Sequence, residues 1–302
     1  MSKHVIVGAG QVGSTTALLL AEEGESVSLV SRSGSGPDHP NIEKIAADAA
    51  GRATMLRLSV GASAIYNCAN PAYHHWPRDW PPIASSLLQA AKECNAVLVT
   101  TNNLYAYGPL DHPMTERDEL ASTGVKGQVR ARMWEEAKAA YDAGQVQASE
   151  ARASDYFGPG DTANHFGRMI PPVLAGKTVR VIGSPDMPHS WTYIPDVART
   201  LVTLARDERA WGRAWHVPTN PPLSQREVVA AIADTAGVPA PEVRGIPNWV
   251  VRAVGVASPM LRELREVSYQ FEQPFVLDSS AATEMFGLEP TPMSEALTTT
   301  LA

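Results

Sequence analysis

The sequence predicts a doubly wound α/β fold with a parallel sheet, followed by a smaller mixed α/β lobe. Two observations predict this fold class. The short apolar run HVIV at residues 4–7 leads directly into the glycine pattern GAGQVG at residues 8–13. Strand-like apolar runs then alternate with helix-like segments as far as residue 100. Such alternation indicates parallel strands that are joined by helical crossovers.

The first unit is a strand, a glycine turn, a helix and a second strand within about thirty residues, and this context makes the glycine pattern specific. Gly8 permits the tight turn, Gly10 lets the backbone approach a pyrophosphate, and Gly13 lets the helix pack against the strand. The helix N-terminus at residue 14 then offers free N–H groups to phosphates. This Rossmann arrangement predicts a dinucleotide site built from Gly8, Gly10, Gln11, Val12 and Gly13.

The end of the second strand, VSRSG at residues 30–34, predicts which dinucleotide is bound. An NAD site usually has an acidic residue here, which accepts hydrogen bonds from the ribose 2′-hydroxyl. This sequence has Arg32 instead, flanked by Ser31 and Ser33. A guanidinium can bind a 2′-phosphate in a fork, with the serines as neutral donors. We therefore expect NADP(H). The alternative is that Arg32 is a solvated surface arginine.

The later strands should point further residues at the cofactor. We predict strands at 41–48, 63–69 and 96–100, and helices at 51–60 and 82–94. Ligands of parallel sheets bind at the carboxyl ends of the strands. We therefore expect cofactor contacts from Asp48 after the first of these strands and from Cys68, Ala69 and Asn70 after the second. The loop TTNNLYAYGP at residues 100–109 follows the third.

The rest of the chain is expected to form the second lobe. We predict a Rossmann domain over residues 1–157, with its sheet completed by parts of 178–218, and a substrate-binding lobe over residues 158–302. Helices are predicted at 164–175, 199–210 and 223–237, and a strand at 177–182. Ser224 and Glu227 have the spacing of a capping box. Two further apolar segments lie at 249–251 and 261–267.

Composition excludes several classes of partner. The net charge is −7 and the isoelectric point is near 5.6, so the chain should repel nucleic-acid phosphates. No apolar run approaches the roughly 20 residues that a membrane span needs. Two cysteines, Cys68 and Cys94, suggest a reducing compartment and no disulfide framework. We expect a cytoplasmic protein, monomeric or homodimeric, that acts on a small molecule and binds no metal.

Five motifs in order carry a family resemblance: VGAGQVG (7–13), YNCANP (66–71), LYAYGP (104–109), RASDYFGPG (152–160) and SWTYIPDVART (190–200). With these motifs the chain resembles the extended and atypical short-chain dehydrogenase/reductases, the NAD-dependent epimerase/dehydratase family. The resemblance implies a Ser or Thr after the fifth strand and a Tyr with a Lys four residues beyond it. In that family the Tyr exchanges a proton with the substrate, and the Lys binds the nicotinamide ribose.

This chain departs from the family's catalytic pattern. Asn103 stands at the Ser/Thr position, Lys126 at the tyrosine position and Arg130 at the lysine position. A guanidinium is a poor proton donor at neutral pH, although Arg130 can still contact a ribose. Three readings stay open: Tyr105 or Tyr107 supplies the proton, Lys126 does so, or no hydride moves. We favour Tyr105, because Tyr107 matches a tyrosine that relatives carry for packing.

The segment after the fourth strand, NPAYHHWPRDWPP at residues 70–82, should lie at the mouth of the cleft. Its tryptophans Trp76 and Trp80 could wall a planar or apolar substrate. Further candidate substrate contacts are Tyr73, His74, Tyr107, His189 and Trp191. The adjacent histidines do not form a metal motif.

The resemblance also places His189, followed by Trp191, where sugar-nucleotide enzymes carry a diphosphate-binding arginine. Neutral imidazole is a poor diphosphate ligand, so a nucleotide sugar is not expected. The sequence therefore predicts an NADP(H)-dependent oxidoreductase that reduces or epimerises a small, largely apolar carbonyl or enone compound. The alternative is a dinucleotide-binding sensor or a non-redox catalyst on the same fold.

Overall fold

The computed structural model describes residues 2–160, 164–246 and 265–302 of the chain. Its strands are β1 (Lys3–Val7), β2 (Ser26–Ser31), β3 (Ile42–Ala46), β4 (Ala62–Asn67), β5 (Val97–Asn103), β6 (Ala148–Ala153), β7 (Asp155–Phe157), β8 (Val179–Ile182), β9 (Trp191–Tyr193), β10 (Ala214–His216) and β11 (Val243–Ile246). The helices are α1 (Gln11–Glu22), α2 (Arg52–Ser59), α3 (Trp76–Cys94), α4 (Val125–Asp142), α5 (Ile170–Leu174), α6 (Ile194–Arg206), α7 (Gln225–Ala236), α8 (Ser280–Phe286) and α9 (Met293–Leu301). Short 3₁₀ segments lie at Tyr73–His75, Gly167–Met169, Glu208–Ala210 and Arg265–Phe271.

A seven-stranded parallel sheet forms the centre, in the order β10-β6-β5-β4-β1-β2-β3. The strand order reverses between the β1–β2–β3 half and the β4–β5–β6 half, which is the doubly wound arrangement that the sequence predicted. Apolar side chains on both faces of the sheet pack against the helices in two clusters. All carboxyl ends of these strands therefore face one edge, where the predicted site residues collect.

The second lobe packs around a separate apolar cluster that includes Phe157, Trp191 and Phe271. Two short parallel sheets, β8 with β11 and β7 with β9, frame this cluster. The strand β10 joins the central sheet, whereas β8 pairs only within the lobe. The division of the chain near residue 157 stays a prediction.

Some element boundaries differ from those that the sequence predicted. The helix predicted at 82–94 begins six residues earlier, at Trp76. Pro77 lies in its first turn, where an amide has no intrahelical partner, but Pro81 and Pro82 lie inside the helix, where the sequence analysis expected a boundary. The helix predicted at 199–210 is α6, which begins at Ile194 with a proline in its first turn. Only α5 and a 3₁₀ turn occupy the segment predicted as a helix over 164–175.

Other expectations are met by local geometry. Ser224 and Glu227 form the reciprocal capping box at the start of α7. Among the described residues, no helix is both long enough and apolar enough to cross a bilayer. The apolar segment 249–251 and most of 261–267 lie outside the described residues.

Candidate functional site

In the glycine loop (residues 8–13), close packing requires a glycine at positions 8 and 13 but not at position 10. Gly8 has φ of +106°, and a Cβ there would lie 2.4 Å from the carbonyl oxygen of Cys68. A Cβ on Gly13 would lie 1.8 Å from the carbonyl oxygen of Gly8. By contrast, a Cβ on Gly10 would meet no described atom within 4 Å. The space above Gly10 is therefore open to a ligand.

The start of α1 is suited to an anion. Gly10 is the N-cap and provides no side-chain hydrogen bond, and the first turn contains no acidic residue. The N–H groups of Gln11, Val12 and Gly13 consequently have no capping side chain, and the helix dipole adds a partial positive charge. Cys68 and Ala69 lie against the other side of the loop. The loop fits the pyrophosphate of a dinucleotide.

Arg32 is exposed at the end of β2, in the position predicted for a 2′-phosphate. Beside it, the hydroxyl of Ser31 accepts a hydrogen bond from the amide of Ser35, and Ser33 donates to the Ser35 hydroxyl. Hydrogen bonding from Arg78 lowers the pKa of Asp79, and the positive charge of Arg32 adds to that effect. Asp48, after β3, accepts a hydrogen bond from the amide of Ala50.

Arg130 is buried between two tryptophans. Its guanidinium carbon lies 4.5 Å from the ring centroid of Trp76 and 4.2 Å from that of Trp80. Within the described parts of the chain, its Nε and Nη1 have no hydrogen-bond partner. Burial lowers the pKa of Arg130 to about 10, so the group is still charged at neutral pH. A buried cation that lacks acceptors is costly, and hydroxyl or phosphate oxygens of a ligand would supply them.

The same contacts place both tryptophans against Arg130, and their predicted contact with a substrate stays a prediction. Trp76 and Trp80 are buried, and the Trp76 indole donates to the carbonyl of Pro71. They enclose Arg130. Tyr73 stacks on Trp76 with ring centroids 4.8 Å apart. His74 is exposed on the 3₁₀ turn and contacts the ring of His75.

Lys126, at the position of the family tyrosine, is buried and paired. Its Nζ lies 3.2 Å from Oε2 of Glu266, and its backbone N–H donates to Oε1 of the same carboxylate. The Nζ also lies 5.8 Å from the ring centroid of Tyr73. The ion pair with Glu266 holds the ammonium group of Lys126 in place, and its predicted role as a proton donor stays a prediction.

Tyr105 and Tyr73 bring two hydroxyl groups to the cluster around Arg130, with their oxygens 3.2 Å apart. Burial, with smaller contributions from Tyr73 and Asp155, raises the pKa of Tyr105 well above its ordinary value of 10.0. The phenol therefore stays protonated and can donate a hydrogen bond, but it is a weak acid. Asn103 accepts a hydrogen bond from the amide of Tyr105 and so shapes this loop.

Two of the predicted substrate contacts, Tyr107 and Trp191, are buried. The hydroxyl of Tyr107 accepts a hydrogen bond from Arg152 at 2.7 Å and lies 2.8 Å from Nε2 of His216. The indole of Trp191 donates to the carbonyl of Leu223, and the side chain is buried. Both residues are better explained by packing and hydrogen bonding than by contact with a substrate.

The sequence analysis did not predict the contact between Asp155 and His189. Oδ2 of Asp155 lies 2.9 Å from Nε2 of His189, although the two residues are 34 positions apart. The imidazole is buried, whereas the carboxylate is 25% exposed. The sequence signal was the Asp within RASDYFGPG, but its partner could not be identified without the fold.

Comparison with known proteins identifies the family to which this chain belongs. The model of the NAD dependent epimerase/dehydratase family matches residues 4–217, and the chain belongs to that family. No curated protein matches the sequence.

Solved structures of similar fold are distant in sequence. A dTDP-glucose 4,6-dehydratase from Bacillus anthracis, solved in complex with NAD, has a TM-score of 0.81 at 18% identity and covers 100% of this chain and 96% of that one. An epimerase from Methanothermobacter thermautotrophicus has a TM-score of 0.82 at 18% identity, with coverage of 99% and 90%. A UDP-glucose 4-epimerase from Thermotoga maritima, solved with UDP-glucose, has a TM-score of 0.80 at 16% identity, with coverage of 99% and 97%.

Proposed function

We propose that this protein is an NADP(H)-dependent oxidoreductase that acts on a small, uncharged carbonyl compound. The observation that carries the proposal is the buried guanidinium of Arg130, which has two nitrogens without described partners beside two phenolic hydroxyls. Arg130 stands where the family lysine binds the nicotinamide ribose. Oxygen atoms of a bound cofactor would satisfy this cation.

The glycine loop supports the cofactor half of the proposal. The space above Gly10 and the uncapped start of α1 suit a pyrophosphate. The family model and the Bacillus anthracis structure name NAD. Arg32 favours the 2′-phosphorylated form, because a guanidinium attracts that phosphate where an acidic residue would repel it. When bound, the nicotinamide supplies or accepts a hydride.

The substrate half departs from the sugar nucleotide seen in the Thermotoga maritima structure. Both nitrogens of His189 are already within reach of partners, the carbonyl of Gln270 and the carboxylate of Asp155, so the imidazole is not free to bind a diphosphate. The partly exposed carboxylate of Asp155 would also repel phosphate oxygens. An uncharged carbonyl compound needs no diphosphate-binding imidazole and is not repelled by the carboxylate of Asp155. Its oxygen would accept hydrogen bonds from Tyr105 and Tyr73.

A second candidate is a cofactor-binding sensor or a non-redox catalyst. The buried ion pair of Lys126 with Glu266 favours it, because this pair replaces the phenol that relatives use in proton transfer. Turnover decides between the two candidates. A cytoplasmic location and a monomeric or homodimeric state belong to the same proposal. Cys68 and Cys94 are free thiols, in accord with that location.

The test begins with fluorescence titrations of NADPH and NADH against the parent chain and Arg32→Ser. We expect the parent to prefer NADPH by about 10-fold or more, as one charge-assisted fork contributes about 1.5–3 kcal/mol. Arg32→Ser should remove that preference and leave NADH affinity unchanged. Arg57 is also exposed, but it lies on α2. Arg57→Ser is therefore the matched control and should change the affinity for neither NADPH nor NADH.

Turnover is then measured as the loss of NADPH absorbance with 4-nitrobenzaldehyde as the probe substrate, followed by a wider panel of ketones and enones. NADPH binding without turnover on the whole panel would favour the sensor. Tighter binding of NADH than of NADPH by the parent would remove the role of Arg32.

A further inference from the structure

We infer that Asp155 exchanges the proton with the substrate and that His189 holds this proton in place, so that the pair replaces the family tyrosine. This inference rests on the proposed function. It goes beyond the family pattern, because neither residue stands at a position of the Tyr–Lys pair.

The hydrogen bonds of His189 fix where protons lie. Nδ1 is 3.1 Å from the carbonyl oxygen of Gln270, which can only accept, so Nδ1 carries a hydrogen. Nε2 is 2.9 Å from Oδ2 of Asp155. An unprotonated Nε2 facing an ionised carboxylate would set two acceptors against each other. One proton therefore lies between Nε2 and Oδ2, as imidazolium with carboxylate or as imidazole with carboxylic acid.

Packing holds the imidazole in this orientation. The ring of His189 lies between Phe271 and Phe275, with centroid distances of 5.0 and 5.3 Å, and Ser154 Oγ lies 3.5 Å from Nε2. The ring is 1% exposed, whereas the Asp155 side chain is 25% exposed. Only the carboxyl end of the pair is therefore open to a substrate.

That open end lies at the edge of the sheet that also carries the Tyr105 loop, because Ala153 at the end of β6 pairs with Asn103 at the end of β5. Asp155 begins β7, directly after the carboxyl end of β6, where the cofactor edge of the sheet lies. Its negative charge contributes, after burial, to the raised pKa values of Tyr73, Tyr105 and Tyr156.

His165 is a further titratable neighbour of Asp155. Burial lowers its pKa and Asp155 opposes that shift, while His165 itself lies against Gln225. Around Asp155, the phenols stay neutral donors and His165 tends to be neutral.

The proton balance of carbonyl reduction follows. A bound reduced nicotinamide would supply the hydride for the new C–H bond, and the carbonyl π electrons would move to the oxygen. The proton shared by Oδ2 and Nε2 leaves through Asp155, and the substrate O–H bond forms. Asp155 remains as a carboxylate beside neutral His189, and solvent water restores the proton. In the oxidation direction the same pair accepts the proton.

The test compares Asp155→Asn with the parent chain, using NADPH and 4-nitrobenzaldehyde. General acid catalysis contributes about 10²–10⁴-fold, so we expect kcat to fall at least roughly 100-fold with KM little changed. The limb of the pH profile that reports the pair should disappear. Asp155→Glu should restore part of kcat and the limb. Asp186→Asn, which removes another acidic side chain of the same lobe, is the matched control and should behave as the parent.

NADPH titration of each variant separates the two proposals. Absence of NADPH binding, or of turnover by the parent chain, overturns the proposed function and this role with it. NADPH binding and turnover that persist in Asp155→Asn within about 3-fold, with the same pH profile, overturn the role of Asp155 alone.

A spectroscopic measurement tests the shared proton in the parent chain itself, so its result does not depend on whether a variant folds. In the ¹⁵N-labelled parent chain, Nδ1 of His189 should carry a hydrogen, and Nε2 should show a proton shared with Oδ2 of Asp155. A parent His189 that carries hydrogen only at Nδ1, beside an ionised Asp155, would contradict the shared proton.

Discussion

Substituting Gly10 by alanine should weaken ligand binding without disturbing the fold, because packing within the glycine loop does not require a glycine at this position. The backbone of Gly10 has φ of −74° and ψ of −176°, which any residue adopts. The added methyl group would meet no described atom within 4 Å, so it occupies only the space assigned to the pyrophosphate.

The expected effect on stability is small. Alanine is a poorer N-cap than glycine by about 0.5–1 kcal/mol. It also reduces the conformational entropy of the unfolded chain, which stabilises by about 0.4–1 kcal/mol. The two effects nearly cancel, so the free energy of unfolding should change by less than about 0.5 kcal/mol.

The expected effect on binding is large. The methyl group would hold the phosphates away from the amides at the start of α1, and a hydrogen bond to a charged group contributes about 1.5–3 kcal/mol. NADPH affinity should fall roughly 10- to 100-fold. Fluorescence titration measures this loss, and urea unfolding of the same variant measures stability.

Gly13→Ala is the matched contrast. Its methyl carbon would lie 1.8 Å from the carbonyl oxygen of Gly8, so α1 and the loop must move apart. Overpacking of this kind costs about 1–3 kcal/mol or more. Should Gly10→Ala bind NADPH as tightly as the parent, or lose as much stability as Gly13→Ala, the assignment of the open space to a pyrophosphate would be wrong.

Two further predictions concern buried polar groups. Tyr107→Phe should lower the free energy of unfolding by about 1–2 kcal/mol, because Arg152 and His216 lose a partner, while NADPH affinity stays unchanged; a large rise in KM without loss of stability would instead indicate a substrate contact. Burial lowers the pKa of His4 from its ordinary value of 6.5, so the folded state binds fewer protons than the unfolded state just below that pH, and stability falls as the pH falls. Replacing His4 by leucine should therefore shrink the difference in urea-unfolding free energy between pH 7.0 and 5.5 by up to about 1 kcal/mol; an unchanged difference would show that His4 does not titrate in that range.

The cofactor half of the site could be predicted because its signals are local. Strand, glycine loop and helix are contiguous, and each glycine acts on atoms a few residues away. The capping box of α7 is local in the same way. The family resemblance further located Lys126 and Arg130 on one helix, where the structure finds both buried on α4.

The substrate half could not be predicted to the same depth. Trp76 and Trp80 enclose Arg130 from a helix that begins before the prolines expected to break it, and the sequence did not indicate this contact. The burial of Lys126 against Glu266 joins residues 140 positions apart. No spacing rule in the sequence relates such residues.

The amino-acid sequence alone determined the sheet, the open glycine loop and the arginine after the second strand. These features could be read from the sequence because backbone conformation and helix ends depend on residues that are close along the chain. Which polar side chains form hydrogen-bonded pairs was decided only by tertiary packing. Asp155 and His189 meet because β7 pairs with β9 and two phenylalanines hold the ring, and that meeting depends on long-range contacts.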